Sequence, residues 1–218
     1  MEMMYRKLLV VVGFVLFSVG VGAQDPLRFE KEVSDLVATD AAVNSKRLIL
    51  FTGSSSIRLW HNLAESFPNK NVLNRGFGGS EMSDMLYYTP QLILKHKPNI
   101  VFIYEGDNDI AAGRSIEQIL ANADSLVKSI RAALPKTKIV FISPKPSGAR
   151  WHLKAQYEDF NSKLAQFTKS RKHVYFADVW LPMLDATGNL LPGLFLDDNL
   201  HMNEKGYVIW TKVLNQFL

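Results

Sequence analysis

The side chains able to do covalent chemistry gather in four short segments: Gly53-Ser-Ser-Ser56, Gly76-Phe-Gly-Gly79, Gly106-Asp-Asn-Asp109 and Asp198-Asn-Leu-His201. A serine hydroxyl is a poor nucleophile at neutral pH and needs a base beside it. His201 can be that base. Asp198, three residues earlier on a loop, can hold the second imidazole nitrogen and stabilise an imidazolium. Asp197 is a competing partner for the same nitrogen. Acyl transfer also needs donors for a tetrahedral oxyanion. At Gly79 no side chain obstructs a backbone N–H, Asn108 offers a side-chain N–H, and the Ser55 N–H would be the remaining donor.

Segments so far apart need a scaffold that gathers them. Leu48 to Phe51 is a short apolar run ended by Gly53, the pattern of a strand buried on both faces. Val72-Leu73, Ile100 to Tyr104, Ile139 to Ile142 and Val174 to Val179 repeat that signal. Between them lie segments of helical spacing. Leu27 to Val43 carries Phe29, Val33, Leu36, Val37 and Ala41, and Asp25-Pro26 suits its start. Ile57 to Ala64 reads as a short helix. Ser80 opens a segment to His96 in which Pro90 should start a new helix or kink the old one. Ser115 with Gln118 is a capping-box pattern ahead of Ile116, Ile119, Leu120, Ala123, Val127 and Ile130. Leu153, Tyr157, Phe160, Leu164 and Phe167 mark a further helix, and Asn203 opens the last, with Trp210, Val213, Leu214 and Phe217 facing in. Five strands alternating with helices predict one parallel sheet covered on both faces. In such sheets working groups sit beyond the carboxyl ends of the strands. The first three segments fall there, and the fourth can reach that edge through its loop.

In this order and context, the four segments resemble the SGNH, or GDSL-like, hydrolase family, named for its Ser, Gly, Asn and His. The matching blocks are Gly53-Ser-Ser, Asn74-Arg-Gly-Phe-Gly-Gly79, Gly106-Asp-Asn-Asp109 and Asp198-Asn-Leu-His201. The resemblance covers essentially the whole chain after its N-terminal segment. It implies a three-layer α/β/α sandwich of flavodoxin-like type with a five-stranded parallel sheet, ester hydrolysis by Ser, Asp and His, and no cofactor. By matching positions it makes Ser55 the nucleophile, His201 the base and Asp198 its partner, with Gly79 and Asn108 joining the Ser55 backbone in the oxyanion hole. The family's usual Gly-Asp-Ser opening is Gly53-Ser54-Ser55 here. Some relatives share a Gly-Ser-Ser-Ser-Ile-Arg opening, and Ser55 keeps the register. Ile57 rules out the G-x-S-x-G elbow of α/β-hydrolases.

Other readings fit less well. Gly76, Gly78 and Gly79 do not complete a dinucleotide fingerprint, because position 81 is Glu. Glu105, Asp107 and Asp109 suggest a cation site, but no histidine joins them at ligand spacing, so no metal is expected and Asp109 should brace its own loop. His61, His96, His152 and His173 have no motif context and read as surface. Arg58 and Trp60, just past the serines, and Trp151, in the loop from Lys145 after the fourth strand, are candidates to line a substrate site.

The 218-residue chain is 47% hydrophobic, enough for a sizeable core in one domain. Arg6 and Lys7, the apolar run from Leu8 to Phe17 and the small residues Val21-Gly22-Ala23 read as a secretory signal over residues 1–23, leaving one domain over 24–218. The run is short and glycine-interrupted, so no stable membrane anchor is expected after cleavage, and export places the protein in the periplasm or outside the cell. With no cysteine, stability must come from burial instead of disulfides. Cleavage removes two cations and one anion, taking the formal charge from +4 to +3. No basic run suggests nucleic acid. The expected partner is a small-molecule or carbohydrate ester, such as an O-acetyl group. Alternatives are a lysophospholipase or thioesterase acting on longer chains, and a non-catalytic carbohydrate- or partner-binding module on the same fold.

Overall fold

A computed structural model describes residues 25–218. The predicted signal segment lies outside the described residues. The five strands are β1 (Ile49–Gly53), β2 (Val72–Gly76), β3 (Ile100–Tyr104), β4 (Lys138–Ile142) and β5 (Val174–Ala177). They form one parallel sheet in the order β2-β1-β3-β4-β5. The α-helices are α1 (Glu30–Ala38), α2 (Ser55–Arg58), α3 (Leu63–Ser66), α4 (Met82–Leu92), α5 (Asp107–Ala111), α6 (Ile116–Ala133), α7 (Lys154–Lys169) and α8 (Glu204–Leu214). This is the flavodoxin-like three-layer sandwich.

The alternation of side chains along each strand builds two cores. Leu50, Val101, Ile103, Ile139 and Phe141 face α1, α4, α6 and α7. Ile49, Phe51, Phe102, Tyr104, Val140 and Ile142 face α3, α8 and the aromatic group Trp60, Phe67, Tyr207 and Trp210. Both faces of the sheet are therefore dry. The strand order reverses at β1, whose neighbours β2 and β3 leave in opposite directions. In open α/β sheets, working groups gather beyond the carboxyl end of the strand at such a switch point, here β1.

Several boundaries differ from the sequence expectation, each for a local reason. The first helix begins as a 3₁₀ turn, Pro26–Phe29, capped by Asp25 through the Leu27 N–H, and ends at Ala38; Ala41 lies exposed in a second 3₁₀ turn. The expected helix over 57–64 breaks into α2 and α3, because the chain folds Trp60 into the core. Strand β2 extends to Gly76, which pairs with Gly53. Pro90 starts no new helix: α4 runs through it and ends two residues later. The α4 cap is Glu81 and not Ser80, whose hydroxyl turns instead to Glu105. Strand β5 stops at Ala177, and the Val179 N–H is taken by the Ser143 hydroxyl (2.9 Å). His96 is buried and not a surface residue; its ring packs 3.4 Å from the Asp40 carboxylate.

Candidate active site

Strand β1 delivers the serines through an unusual glycine. Gly53 has φ +123°, and a Cβ there would sit 2.1 Å from the Tyr104 carbonyl oxygen on β3. The Ser54 N–H bonds that same carbonyl (3.1 Å), and the chain then turns directly into α2, whose first residue is Ser55. Ser54 and Ser56 are buried, whereas Ser55 is partly exposed. The Ser55 amide lies in the first turn of α2, where N–H groups have no acceptor within the helix.

His201 reaches Ser55 from the other end of the chain. Its Nε2 lies 3.0 Å from Ser55 Oγ, and its Nδ1 lies 2.6 Å from Asp198 Oδ2. The second Asp198 oxygen accepts the Leu200 and His201 N–H groups, both at 2.9 Å. The Leu200 amide, opposed by partial burial and reinforced by the His201 ring and amide, holds the Asp198 carboxyl down at about 2. An ionised Asp198 accepts a hydrogen bond from Nδ1–H, which fixes that tautomer and leaves the Nε2 lone pair aimed at the Ser55 hydroxyl. Asp197 carries no such bond; its carbonyl accepts from the Asn199 side chain (3.4 Å). The loop is fixed at both ends. Phe195 pairs with Met202, and Asn203 caps α8 while its amide donates to the Gly193 and Phe195 carbonyls.

Gly79, on the loop after β2, and Asn108, in the first turn of α5 after β3, come to the same end of the sheet. Gly79 has φ +74° and open space where a Cβ would be, so nothing covers its backbone from that side. The preceding Gly78 N–H donates to Glu32 Oε1 (3.0 Å), which also meets Arg58 Nη1 (3.4 Å). Arg58 thus lies against Gly78, where any side chain would strike its guanidinium. The Asn108 amide is tied at both atoms: Nδ2 donates to the Ser80 carbonyl (2.9 Å) and Oδ1 accepts from Arg150 Nη2 (3.0 Å). That pairing fixes which atom is nitrogen and leaves one Nδ2 hydrogen uncommitted.

The acidic residues beside Asn108 are consumed by structure. Asp107 is buried and accepts from Tyr104 OH (2.6 Å), Tyr157 OH (2.7 Å), Lys145 Nζ (3.3 Å) and Arg150 Nη1 (2.5 Å). Burial would raise its carboxyl, but Lys145 and Arg150 hold it below the usual carboxylate range. Asp109 braces its loop by accepting the Gly106 and Met82 N–H groups. Glu105 accepts from Ser80 Oγ (2.7 Å), and burial pushes its carboxyl well up. Among the described residues no group of three or more His, Asp or Glu side chains is arranged to hold a metal ion.

Of the candidate lining residues, Trp60 is displaced from that role. It is 1% exposed and packs against Phe51, Phe67, Tyr207 and Trp210. Trp151 is half-buried, its ring parallel to Trp180 and under Lys154. Arg150 and Glu32 belong to no sequence motif, and Asp107, weighed above as a cation ligand, instead holds Arg150 beside Asn108. The available signal was charge: two cations in the loop after β4 face an acid in the loop after the neighbouring strand β3.

A serine hydroxyl bonded to a carboxylate-held imidazole, next to glycine and asparagine loops, is an arrangement that can form and hydrolyse an acyl-enzyme. The family model for the GDSL-like lipase/acylhydrolase family matches residues 41–209. No curated protein matches the sequence. Among solved structures, a candidate platelet activating factor from Streptococcus pneumonia aligns with TM-score 0.76 at 21% identity, covering 87% of this chain and 91% of that one. A GDSL-like lipase from Bacteroides thetaiotaomicron aligns with TM-score 0.73 at 19% identity, covering 88% and 98%. A catalytic mutant of an acetylxylan esterase from Geobacillus stearothermophilus aligns with TM-score 0.66 at 16% identity, covering 80% and 94%. At these identities the neighbours establish the shared fold, and the family match over most of the sequence establishes membership: the chain belongs to the GDSL-like lipase/acylhydrolase family.

Proposed function

We propose that this protein is an exported serine esterase that removes small acyl groups, such as acetyl groups on carbohydrate, through an acyl-enzyme. The observation that carries the reading is the row Ser55 Oγ, His201 Nε2, His201 Nδ1 and Asp198 Oδ2, with links of 3.0 and 2.6 Å. Ser55 attacks the ester carbonyl as His201 takes its proton. The oxyanion is met by the Ser55 and Gly79 N–H groups and the free Asn108 Nδ2 hydrogen. His201 then protonates the leaving alcohol, and water repeats the sequence on the acyl-enzyme.

The N-terminal pattern supports export, and an acetylxylan esterase among the neighbours of the same fold supports acetyl ester chemistry. The test is a rate series on 4-nitrophenyl esters of increasing acyl length, with acetylated xylan as a polymer substrate. The acetyl ester should be fastest, the rate should fall steeply beyond about four carbons, and Ser55→Ala should be inactive. Rates rising toward long chains would assign the lysophospholipase or thioesterase alternative. Ligand retention without turnover would assign the binding module.

A further inference from the structure

Arg150 stands where two halves of the site meet. It lies in the loop between β4 and α7, which is stapled to the His201 loop by the Ala149 N–H on the Asn199 carbonyl (3.1 Å). Gly148 packs against Asn199 in the same contact. The Arg150 guanidinium turns the other way, giving Nη1 to Asp107 and Nη2 to Asn108 Oδ1. Arginine's planar fork can serve the two acceptors at once, and a lysine ammonium lacks that geometry.

We infer that Arg150 is a positioning residue for the oxyanion hole, acting through the Asn108 amide. This rests on the proposed esterase reading and names a further member of the same site. With Oδ1 held by Arg150 and one Nδ2 hydrogen held by Ser80, the planar amide has a single orientation and its last hydrogen a single direction. The positive charge at Oδ1 also draws electron density from the amide and strengthens the remaining N–H as a donor. Asp107 keeps the guanidinium from swinging toward the oxyanion itself. Lys145 remains beside Asp107 as a second cation, so neutralising that buried carboxylate does not depend on Arg150 alone.

The alternative role for Arg150 is to balance the charge of Asp107 and no more. The two are separated by a double-mutant cycle on the purified protein with 4-nitrophenyl acetate. Arg150→Lys keeps a cation near Asp107 but loses the fork. It should lower kcat by about 10- to 100-fold, leave KM within about twofold and keep Tm close to wild type. In an Asn108→Ala background, Arg150→Lys should cost less than about twofold more, because the amide it orients is gone. Arg150→Gln, which can still donate to Oδ1 without charge, should fall between wild type and Arg150→Lys; if Arg150→Lys folds poorly, the same cycle is run with Arg150→Gln. Losses that multiply in the double variant, or unchanged kcat in the single variant, overturn the inference while the esterase reading stands. A rise in KM with kcat unchanged would instead make Arg150 a substrate contact and also overturn it. Failure of the wild-type protein to turn over any ester overturns the esterase reading, and the inference with it.

Discussion

Two aspartates sit on opposite sides of the candidate site and are kept ionised by different means. Asp198 is exposed, with 46% of its side chain accessible, and its stabilisation is local: the amides two and three residues ahead and the ring of His201. Asp107 is buried and depends on partners from β3, α7 and the loop after β4. The exposed aspartate is part of a small self-contained loop that needs only an anchor. The buried one ties three segments together, so its removal is felt by the fold before it is felt by any chemistry.

That contrast can be broken most severely at Asp107. Asp107→Leu leaves Lys145 and Arg150 facing each other without a counter-charge, and should destabilise the protein by about 3–5 kcal/mol in urea unfolding. Asp198→Asn should leave the urea midpoint nearly unchanged while kcat falls by about 10³–10⁴, because the imidazole loses both its tautomer and its counter-charge. Equal loss of stability in both variants would erase the distinction.

Asn108→Ala comes next, with an expected loss of about 10²–10³ in kcat and little change in KM. Glu32→Ala is a milder probe on the other oxyanion loop. It frees the Gly78 N–H and should cost about tenfold in kcat with less than about 1 kcal/mol of stability. A further probe concerns pH. Burial, reinforced by the charge of Glu81 and opposed by the Met82 and Gly106 amides, raises the Asp109 carboxyl to about 7. A carboxyl raised on folding favours the protonated native state, so its contribution is complete below the ordinary carboxylate value of 3.8 and is lost as pH rises through about 7. Wild type should therefore lose stability relative to Asp109→Asn between about pH 4 and about pH 7, by about 1–2 kcal/mol, read from unfolding curves at several pH values. Asp198 has the opposite sign, and because its carboxylate is largely exposed to solvent its contribution is small and is lost only as pH falls toward about 2.

The same contrast explains what the sequence made legible. Strand rhythm and helix faces were readable because both sheet faces are buried and the periodicities are uninterrupted. The Asp198–His201 pair was readable because the bonds of the Asp198 carboxylate span at most three residues. The network around Asn108 was not, since apart from the Tyr104–Asp107 bond its links join positions 28 to 50 residues apart, from Ser80–Asn108 to Asp107–Tyr157. Trp60 was misread because position next to a serine in sequence says nothing about which side of the sheet a large ring must fill. Glu32 was invisible for a related reason: it lies on α1, far from every motif, and reaches Gly78 only through the fold.

The central claim is that the Ser55 hydroxyl is activated by His201. A serine-directed fluorophosphonate applied to the purified protein, followed by peptide mapping, tests it directly. Labelling should fall on Ser55, be lost in Ser55→Ala and in His201→Ala, and persist in Ser56→Ala. A label on Ser54 or Ser56, or none on a folded protein, would contradict it.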